Sequence, residues 1–525
     1  MPEKTADYII VGAGTAGCVL AARLSADPQV TVTLLELGGQ DSNPSIWDHD
    51  MNAMFSLWDP KGAENWGYAT TPQTELNGRS IDIARGKVLG GSSAVNAKIY
   101  IRGHQRNFDS WAAMGNTGWS YSDVLPYFKT SEAYQGPPSE YHGTAGPLSV
   151  IDCKNEQDVL HAFVDAAASL GATRKYNDFN GQTQEAGAGF YQSTRKPNGD
   201  RVTAASAFLT PNLGRQNLRV ITGARTTRVL IEHGRAVGVE YIGPDGTQLL
   251  RAEREVILCG GAYETPKLMM LSGIGPASHL AERGLAVLQD LPGVGQNLQD
   301  HLLLGVAYES QSPLNPPELL AEAGLFTWTG LGSRDAAPDL QYFFGPVQFV
   351  APEYASPNPG FTLAPILAQP QSVGTVTLAS NNPTDLAVMN PQYLTRDEDL
   401  AVLEYGIRYA RELAHTSAFS ALRGRELAPG DAVTSREDLR DYIRKVAGTV
   451  WHPVGTCKMG VDAAAVVDPE LKVRGIDGLR IADASVMPQI VNGNPNAAIM
   501  MIAEKAADMI LAESSQRAPL AAAAA

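Results

Sequence analysis

A glycine-rich turn near the amino terminus constrains the fold of this chain more than any other feature. An apolar, β-branched run at 8–11 precedes Gly12, Gly14 and Gly17, and residues 19–24 have helical character. This order predicts a strand, a tight turn and a helix. In such a unit the first glycine permits the turn, the second lets a pyrophosphate approach the backbone, and the third lets the helix pack closely against the strand. The amino terminus of the helix would then face the phosphates.

A carboxylate follows the next predicted strand, where a nucleotide ribose would need it. The apolar run 30–35 ends at Glu36, nineteen residues after Gly17. A carboxylate there can accept hydrogen bonds from a ribose diol and would repel a 2'-phosphate. We therefore predict a dinucleotide-binding α/β unit, the alternative being a glycine-rich turn in an unrelated fold. At this point the pattern fits NAD as well as FAD.

Composition narrows the class of protein further. A chain of 525 residues is too long for one ordinary core, so two domains are expected. The formal net charge of -15 argues against nucleic acid as a partner. The four cysteines have no zinc-ligand spacing, so we expect free thiols in a reducing cytosol and no metal site. No signal peptide or membrane-spanning run is evident, which predicts a cytoplasmic protein without membrane insertion.

Two further glycine-rich segments favour FAD over NAD. The segment 86–96 is too long for a hairpin and supplies many backbone N–H groups for a large cofactor. The segment 261–275 follows a strand-like run at 256–258, and Thr265 and Pro266 are expected to start a helix. With the amino-terminal turn, these segments resemble the signatures of the glucose/methanol/choline (GMC) oxidoreductases. The resemblance extends from Tyr8 to about Ile510 and is particularly close to bacterial choline oxidases and choline or alcohol dehydrogenases.

The resemblance implies a set of FAD-binding residues, spread over four parts of the chain. The ADP half would be held by Gly12, Gly14, Thr15, Ala16, Gly17 and Glu36, with Val229 contacting adenine through its backbone. The flavin, pyrophosphate and ribityl parts would be held by Arg85, Gly90, Gly91, Ser92, Ser93, Asn96, Ala97, Asp483, Ala484, Asn494 and Pro495. Choline oxidases carry a flavin-linking histidine at the position of Val95, so the FAD is expected to be noncovalent.

The same resemblance assigns the chemistry to His452 and Asn494. Removing a hydride from an alcohol carbon requires a base for the hydroxyl proton, and histidine suits neutral pH. His452 lies in a short apolar segment bounded by glycine and proline that resembles the family's catalytic segment, although a buried histidine at a strand end is the alternative. Asn494 would donate a hydrogen bond to the alkoxide, the alternative being a helix cap. His301 and His104 are expected to be structural.

Substrate choice is expected to depend on the region 302–377. Glu322 falls, by spacing only, where choline oxidases place a carboxylate that pairs with trimethylammonium, but a surface glutamate is the favoured interpretation because the accompanying aromatics are missing. We therefore expect a neutral primary alcohol, aliphatic or aryl, rather than choline. Candidate lining residues are Phe343, Phe349 and Trp451, which could also be core.

The family pattern also predicts the organisation of the chain. A Rossmann-like α/β FAD-binding domain would comprise 1–153, 217–305 and 468–512. It would be interleaved with an α+β substrate-binding domain, 154–216 and 306–467, built on an antiparallel sheet. Residues 513–525 are expected to form a disordered tail, and the protein to be a monomer or homodimer.

The predicted activity is oxidation of a primary alcohol to the aldehyde, with O2 preferred slightly over a quinone or dye as electron acceptor. Four alternatives stay open: a dehydrogenase with such an acceptor, a hydroxynitrile lyase or photodecarboxylase on the same fold, an NAD-dependent dehydrogenase, and a flavin-binding protein without turnover. The sequence does not identify the alcohol.

Overall fold

A seven-stranded sheet forms the centre of the first half of the fold. The computed structural model describes residues 4–153, 155 and 157–524. The order of six strands is Leu218–Ile221, Val32–Leu35, Lys4–Val11, Gly246–Leu258, Arg235–Gly243 and Arg225–Glu232, and Leu479–Ile481 pairs with the end of Gly246–Leu258. The pairs around Lys4–Val11 are parallel, as the strand, turn and helix pattern predicts, because the helix Thr15–Leu24 carries the chain back between parallel strands.

A nine-stranded sheet, mostly antiparallel, forms the other half. Its strands are Arg423–Ala428, Val306–Ser310, Gly360–Leu367, Leu340–Gly345, Ala323–Thr327, Gly187–Phe190 and Arg174–Lys175, with Leu302–Leu303 and Gly448–Thr449 at one side. The helices Asp158–Ser169, Asp397–Ala414 and Arg436–Val446 share an apolar core with this sheet. Gly360–Leu367 is buried at every position, because it lies in the middle of the sheet with both faces covered.

Smaller elements connect and flank the two sheets. A four-stranded sheet combines Ile99–Tyr100, Gln192–Ser193, Leu148–Asp152 and Glu132–Tyr134. Three two-stranded ladders pair Ile274–Gly275 with Gln289–Asp290, Thr375–Thr377 with Val388–Asn390, and Tyr68–Ala69 with Asp82–Ile83. The remaining helices are Met51–Ser56, Ser92–Val95, Gln105–Ala113, Tyr121–Ser131, Gly261–Leu271, Ala277–Glu282 and Asn496–Ala524.

A buried ionic network surrounds Glu132, at the start of a strand of the four-stranded sheet. Glu132 is fully buried and receives a hydrogen bond from Arg102 at 2.6 Å, while His142 lies between Glu132 at 3.1 Å and Asp178 at 2.9 Å. Burial alone would lower the pKa of His142, but its hydrogen bonds to the two carboxylates outweigh burial and raise that pKa to about 9. His142 is therefore an imidazolium in the folded protein at neutral pH.

The fold class predicted from the sequence is confirmed. Strands of the central sheet lie in 1–153, 217–305 and 468–512, and those of the antiparallel sheet lie in 154–216 and 306–467 apart from Leu302–Leu303. We retain the two-domain division as a proposal.

Two predicted boundaries differ from the structure. The helix expected to start at Thr265 begins at Gly261, so Pro266 lies inside it. Pro266 has no N–H for the carbonyl of Ala262, and the hydroxyl of Thr456 donates to that carbonyl instead, at 2.6 Å. The helix Asn496–Ala524 also continues through most of the segment expected to be a disordered tail, where Glu513 pairs with Arg480 at 2.8 Å. Ala525 lies outside the described residues.

Within the described part of the chain, no helix combines the length and apolar character needed to cross a membrane.

Candidate active site

A cavity lies between the two sheets and collects most of the predicted site residues. His452 and Asn494 line it, as do Phe343, Phe349 and Trp451. The predicted cofactor residues in its lining are Gly12, Gly14, Thr15, Ala16, Glu36, Arg85, Gly91, Ser92, Asn96, Ala97, Asp483, Ala484, Asn494 and Pro495. Four other predicted cofactor residues do not line it, namely Gly17, Gly90, Ser93 and Val229.

Close backbone contacts explain why glycine is needed at the nucleotide end of the cavity. A Cβ atom on Gly17 would lie 1.9 Å from the carbonyl oxygen of Gly12, so the helix can approach the strand only without a side chain there. Gly91 has a φ of +53°, and a Cβ atom on it would lie 2.7 Å from the Cα of Gly14. The first two glycine-rich segments therefore touch each other at a point where position 91 cannot carry a side chain.

Backbone donors hold Glu36 in place. Its two carboxylate oxygens accept hydrogen bonds from the N–H of Ala13 at 2.9 Å and of Gly38 at 2.7 Å. Burial raises the pKa of Glu36, and these two hydrogen bonds counteract the rise. Each carboxylate oxygen has a second lone pair, so the side chain can still accept hydrogen bonds from a ribose while it ties the turn to the second strand.

Val229, predicted to contact adenine through its backbone, does not line the cavity. The backbone N–H of Val229 donates to the hydroxyl of Ser272 at 2.8 Å, and the residue is buried behind the cavity lining. Ala224, Arg225 and Thr226 line the cavity instead, three to five positions earlier on the same stretch. The sequence shows a strand here but not which of its residues faces the cavity.

The second glycine-rich segment is anchored from behind by two residues that the sequence assigned to cofactor contact. The N–H of Gly90 donates to the carbonyl of Ala13 at 2.8 Å, and the hydroxyl of Ser93 donates to the carbonyl of Gly90 at 2.6 Å. Gly90 and Ser93 thus shape the loop, whereas Ser92 faces the cavity and accepts a hydrogen bond from Arg85 at 2.9 Å. Arg85 also donates to the carbonyl of Trp451 at 2.6 Å.

Two histidines and an asparagine form a continuous hydrogen-bonded chain at the other end of the cavity. Nδ2 of Asn494 lies 3.1 Å from Nε2 of His452, and Nδ1 of His452 lies 3.0 Å from Nδ1 of His301. Nε2 of His301 lies 3.2 Å from the carbonyl oxygen of Ala368. His301 is expected from the sequence to be structural, but it lies in direct contact with the predicted base.

The carbonyl of Ala368 decides which nitrogen of each imidazole carries the proton. Burial lowers the pKa of His301 to about 4. Burial also lowers the pKa of His452 well below its usual value, with smaller contributions from the repulsion that a protonated His301 and Arg85 would exert, so both rings are neutral. A carbonyl can only accept, so His301 carries its proton on Nε2 and accepts at Nδ1. His452 must then carry its proton on Nδ1. Its Nε2 lone pair is left facing Asn494 and the cavity, as a base requires.

A buried carboxylate fixes the backbone of this imidazole pair. One oxygen of Asp300 accepts from the N–H of His452 at 2.7 Å and from the N–H of His301 at 3.0 Å. The other accepts from the hydroxyls of Tyr393, at 2.5 Å, and Thr449. A carboxylate that accepts four hydrogen bonds and donates none is typically ionised. Burial acts in the opposite direction and raises the pKa of Asp300. In the sequence, only the position of Asp300 next to His301 points to this role.

The residue before the base has an unusual backbone conformation. Trp451 has a φ of +60°, a left-handed conformation that costs a non-glycine residue about 1 kcal/mol. The hydroxyl of Thr449 accepts from its N–H at 2.7 Å, its indole N–H donates to the carbonyl of Asp82 at 3.0 Å, and the Trp58 ring packs edge-on at 4.6 Å. These contacts hold the strained turn that aims His452 into the cavity.

Comparison with known proteins identifies the family. Two family models, both described as GMC oxidoreductase, match residues 6–303 and 370–503. The chain belongs to the GMC oxidoreductase family. This confirms the family resemblance of the three glycine-rich segments. It also confirms two further predictions, that the protein is an oxidoreductase and that its fold is mixed α/β.

The similarity to known proteins extends over nearly the whole chain. An oxygen-dependent choline dehydrogenase of Brucella canis is 40% identical over 98% of this chain and 96% of its own. An alcohol dehydrogenase (acceptor) of Pseudomonas putida is 42% identical over 96% of this chain and 95% of its own. Among solved structures, pyridoxine 4-oxidase from Mesorbium loti aligns with a TM-score of 0.89 and 34% identity, covering 96% of this chain and 98% of that one.

The residues in the cavity fit FAD. Thr226 Oγ1, Tyr263 Oη and Asn494 Oδ1 are buried polar atoms of the lining without a hydrogen-bond partner among the described residues, as expected where a polar cofactor supplies the partner. The helix Thr15–Leu24 has no side-chain cap at its amino terminus, and its first residues line the cavity. Such free N–H groups suit a pyrophosphate.

Asp483 contributes to the site mainly by holding the backbone. One of its oxygens accepts from the N–H of Gly261 at 2.8 Å and from the hydroxyl of Thr265 at 2.6 Å, and the other accepts from Ser485. Asp483 therefore joins the third glycine-rich segment to the carboxyl-terminal part of the GMC fold, while Ala484 beside it lines the cavity.

Beyond the base, the cavity is bounded by apolar side chains. We call Ile99, Leu303, Leu320, Phe343, Ala364 and Val450 the apolar wall, with Val347 and Phe349 at its outer edge. Phe349 is 38% exposed and stands where the cavity meets solvent.

Glu322 takes no part in this wall. It is fully buried, so the interpretation as a surface residue is wrong, and one of its carboxylate oxygens accepts from Asn155 at 2.7 Å and from the N–H of Glu318 at 2.6 Å. It does not line the cavity, and its second carboxylate oxygen is buried without a hydrogen-bond partner among the described residues. Over the described ranges, no group of three or more histidine, cysteine or acidic side chains is arranged to hold a metal ion.

Proposed function

We propose that the chain binds FAD noncovalently and oxidises a primary alcohol to the aldehyde, with His452 as the base. The observation that carries the proposal is the direction of the hydrogen bonds from Ala368 through His301 to His452, which leaves a basic lone pair on Nε2 facing the cavity. Bound FAD supplies a two-electron acceptor for the hydride that leaves the alcohol carbon.

Three protein side chains account for the proton transfer and for the stabilisation of the charges that it creates. Nε2 of His452 takes the hydroxyl proton, and the amide of Asn494, 3.1 Å away, donates a hydrogen bond to the developing alkoxide. Because an amide does not compete for the proton, these roles do not conflict. Asp300 lies against the backbone of both histidines, so its negative charge stabilises the imidazolium that proton transfer creates.

Noncovalent attachment is supported by the surroundings of Val95. This side chain cannot form a bond to a flavin, and its carbonyl accepts a hydrogen bond from the indole of Trp58 at 2.8 Å. Denaturing the purified yellow protein with acid should release all flavin into the supernatant. Flavin that stays with the precipitated protein would contradict this part of the proposal.

The reaction is tested by adding primary alcohols to the FAD-loaded protein without oxygen. Loss of the flavin absorption band is expected, and replacing His452 by alanine should slow it by roughly 10²- to 10⁴-fold. The control is His49→Ala, because His49 is exposed and outside the cavity lining. An unchanged rate in His452→Ala would refute the assigned base. A flavin that stays oxidised while a cyanohydrin is cleaved would favour a hydroxynitrile lyase.

Molecular oxygen is the proposed final electron acceptor, taking two electrons and two protons to give hydrogen peroxide. The names of the Brucella relative and of pyridoxine 4-oxidase support it, and the name of the Pseudomonas relative supports a different acceptor. Turnover in air with stoichiometric peroxide is expected. Turnover only with an added quinone or dye would make the chain a dehydrogenase.

A further inference from the structure

We propose that the substrate is an uncharged alcohol with an apolar body, and that the chain selects against quaternary-ammonium alcohols such as choline. This inference rests on the proposed function and concerns the substrate class of the same site. It separates this chain from the relatives that are named choline dehydrogenases.

The wall beside the base offers contacts for apolar groups only. Leu303 lines the cavity together with His452, and it belongs to the apolar cluster against which Val450, two positions before the base, packs. Phe343 and Ala364, on neighbouring strands of the antiparallel sheet, continue the same surface. The polar side chain of Thr362 is satisfied internally, since its hydroxyl donates to the carbonyl of Val347 at 2.6 Å and accepts from Phe349 at 2.9 Å.

No carboxylate of the cavity lining is available to a cation near the base. The acidic residues of the lining are Glu36, Glu264 and Asp483, all in the FAD-binding segments. Glu36 and Asp483 accept backbone and hydroxyl hydrogen bonds, as described above. Glu264 accepts from the hydroxyl of Tyr68 at 2.6 Å and pairs with Lys267 at 3.2 Å.

Among the charged side chains that line the cavity, the one in contact with the segment of the base is unfavourable for a cation, and the Asp300 carboxylate lies behind the base, outside the lining. Arg85 is a guanidinium that contacts the carbonyl of Trp451, one residue before His452. A quaternary ammonium group would have to leave water for an apolar wall with that positive charge nearby. Recognition of such groups by cation–π contacts uses a cage of several ring faces. The apolar wall has the Phe343 ring inside it and the partly exposed Phe349 ring only at its outer edge, and the indole of Trp451 is turned to the carbonyl of Asp82.

The polar atoms left for the substrate match one hydroxyl group. Nε2 of His452 can accept its proton, and Asn494 can contact its oxygen. Beyond them, the wall gives a polyol nothing to bind its further hydroxyls, which would lose their hydrogen bonds to water on entering. The site therefore suits a single terminal alcohol on a hydrocarbon or aromatic body.

A matched pair of substrates tests the proposal. Choline and 3,3-dimethylbutan-1-ol have the same shape and differ in one atom, nitrogen against carbon, and hence in charge. Rates of anaerobic flavin reduction should give the neutral alcohol a kcat/KM at least 100-fold above that of choline. A choline value equal to or greater than that of its neutral isostere would overturn the inference while leaving the proposed alcohol oxidation intact. If none of the four compounds choline, 3,3-dimethylbutan-1-ol, benzyl alcohol and hexan-1-ol reduces the flavin, the proposed function itself fails.

Two variants of one wall residue make the test specific to this surface. Leu303→Glu places a carboxylate in the apolar wall of the cavity, and Leu303→Gln is the uncharged control of the same size. The glutamate variant should raise the ratio of kcat/KM for choline over 3,3-dimethylbutan-1-ol at least 10-fold, and the glutamine variant should not. Equal ratios in both variants and the unaltered protein would show that Leu303 does not face the substrate. If the variants do not fold, the substrate pair with the unaltered protein decides.

Discussion

Replacing His301 by leucine is expected to slow alcohol oxidation without emptying the site of cofactor. His301 is fully buried, lies outside the cavity lining and accepts the Nδ1 proton of His452 at 3.0 Å. Leucine fills a similar volume but cannot accept a hydrogen bond. The Nδ1–H of His452 would then be buried without a partner, and the tautomer protonated on Nε2, which cannot act as a base, would no longer be disfavoured.

The size of the effect follows from the lost acceptor. An unpaired buried donor costs about 1–3 kcal/mol, which corresponds to a reduction in rate of roughly 5- to 150-fold if the whole cost falls on the reactive tautomer. His301→Asn is the matched variant, because its side-chain oxygen can accept from His452. We expect asparagine to recover most of the rate that leucine loses.

The assay is the rate constant of flavin reduction by a saturating alcohol without oxygen, measured by stopped flow. FAD content and the unfolding midpoint are measured on each variant, so that a folding defect is not mistaken for a chemical one. A leucine variant that reduces its flavin within twofold of the unaltered protein would refute the tautomer argument. Equal losses in the leucine and asparagine variants would show that His301 contributes by packing.

Three further predictions concern stability and cofactor binding. Burial lowers the pKa of His301 to about 4 in the folded protein, whereas in the unfolded chain this histidine is protonated below about pH 6.5. Because the unfolded chain binds the proton first, the free energy of unfolding should fall by about 3 kcal/mol as the pH is lowered to 4. Denaturant titrations across that range should show the fall, and His301→Leu should reduce it. The pKa of His142 is raised to about 9, so the contribution of this residue to the free energy of unfolding is complete below pH 6.5 and is lost as the pH rises to about 9. In denaturant titrations between these pH values, His142→Gln should make the free energy of unfolding less dependent on pH. Gly17→Ala should abolish FAD binding, because the new methyl group would lie 1.9 Å from the carbonyl of Gly12, whereas Gly39→Ala, which meets nothing within 4 Å, should retain it in a fluorescence titration.

Contiguous segments account for what the sequence determined correctly. The turn from Gly12 to Gly17, its flanking strand and helix, and the carboxylate of Glu36 are fixed by local backbone requirements, and each is present as predicted. His452 and Asn494 were assigned from short segments that resemble those of a known family, and both line the cavity. The fold class followed because the same segments occur in the family's order.

Residue roles that depend on distant contacts were decided only by the tertiary structure. His301 and His452 are 151 positions apart, and the proton positions on both rings depend on a carbonyl at a third site, Ala368. No spacing rule connects such positions, because the antiparallel sheet brings them together. The apolar wall likewise collects side chains from separate strands, so the sequence shows that they are apolar but not that they share a surface with the base.

The differences from the predictions for Val229 and Glu322 have the same physical origin. Whether Val229 or Thr226 faces the cavity depends on the direction of side chains along a strand with irregular register, and a shift of one residue exchanges the two faces. Glu322 was placed by its distance along the chain, yet the fold buries it against Asn155, outside the cavity. The glycine-rich turn thus follows from local sequence because its constraints lie within a few bonds, whereas the acid–base chain and the substrate surface arise only when strands distant in sequence pack together.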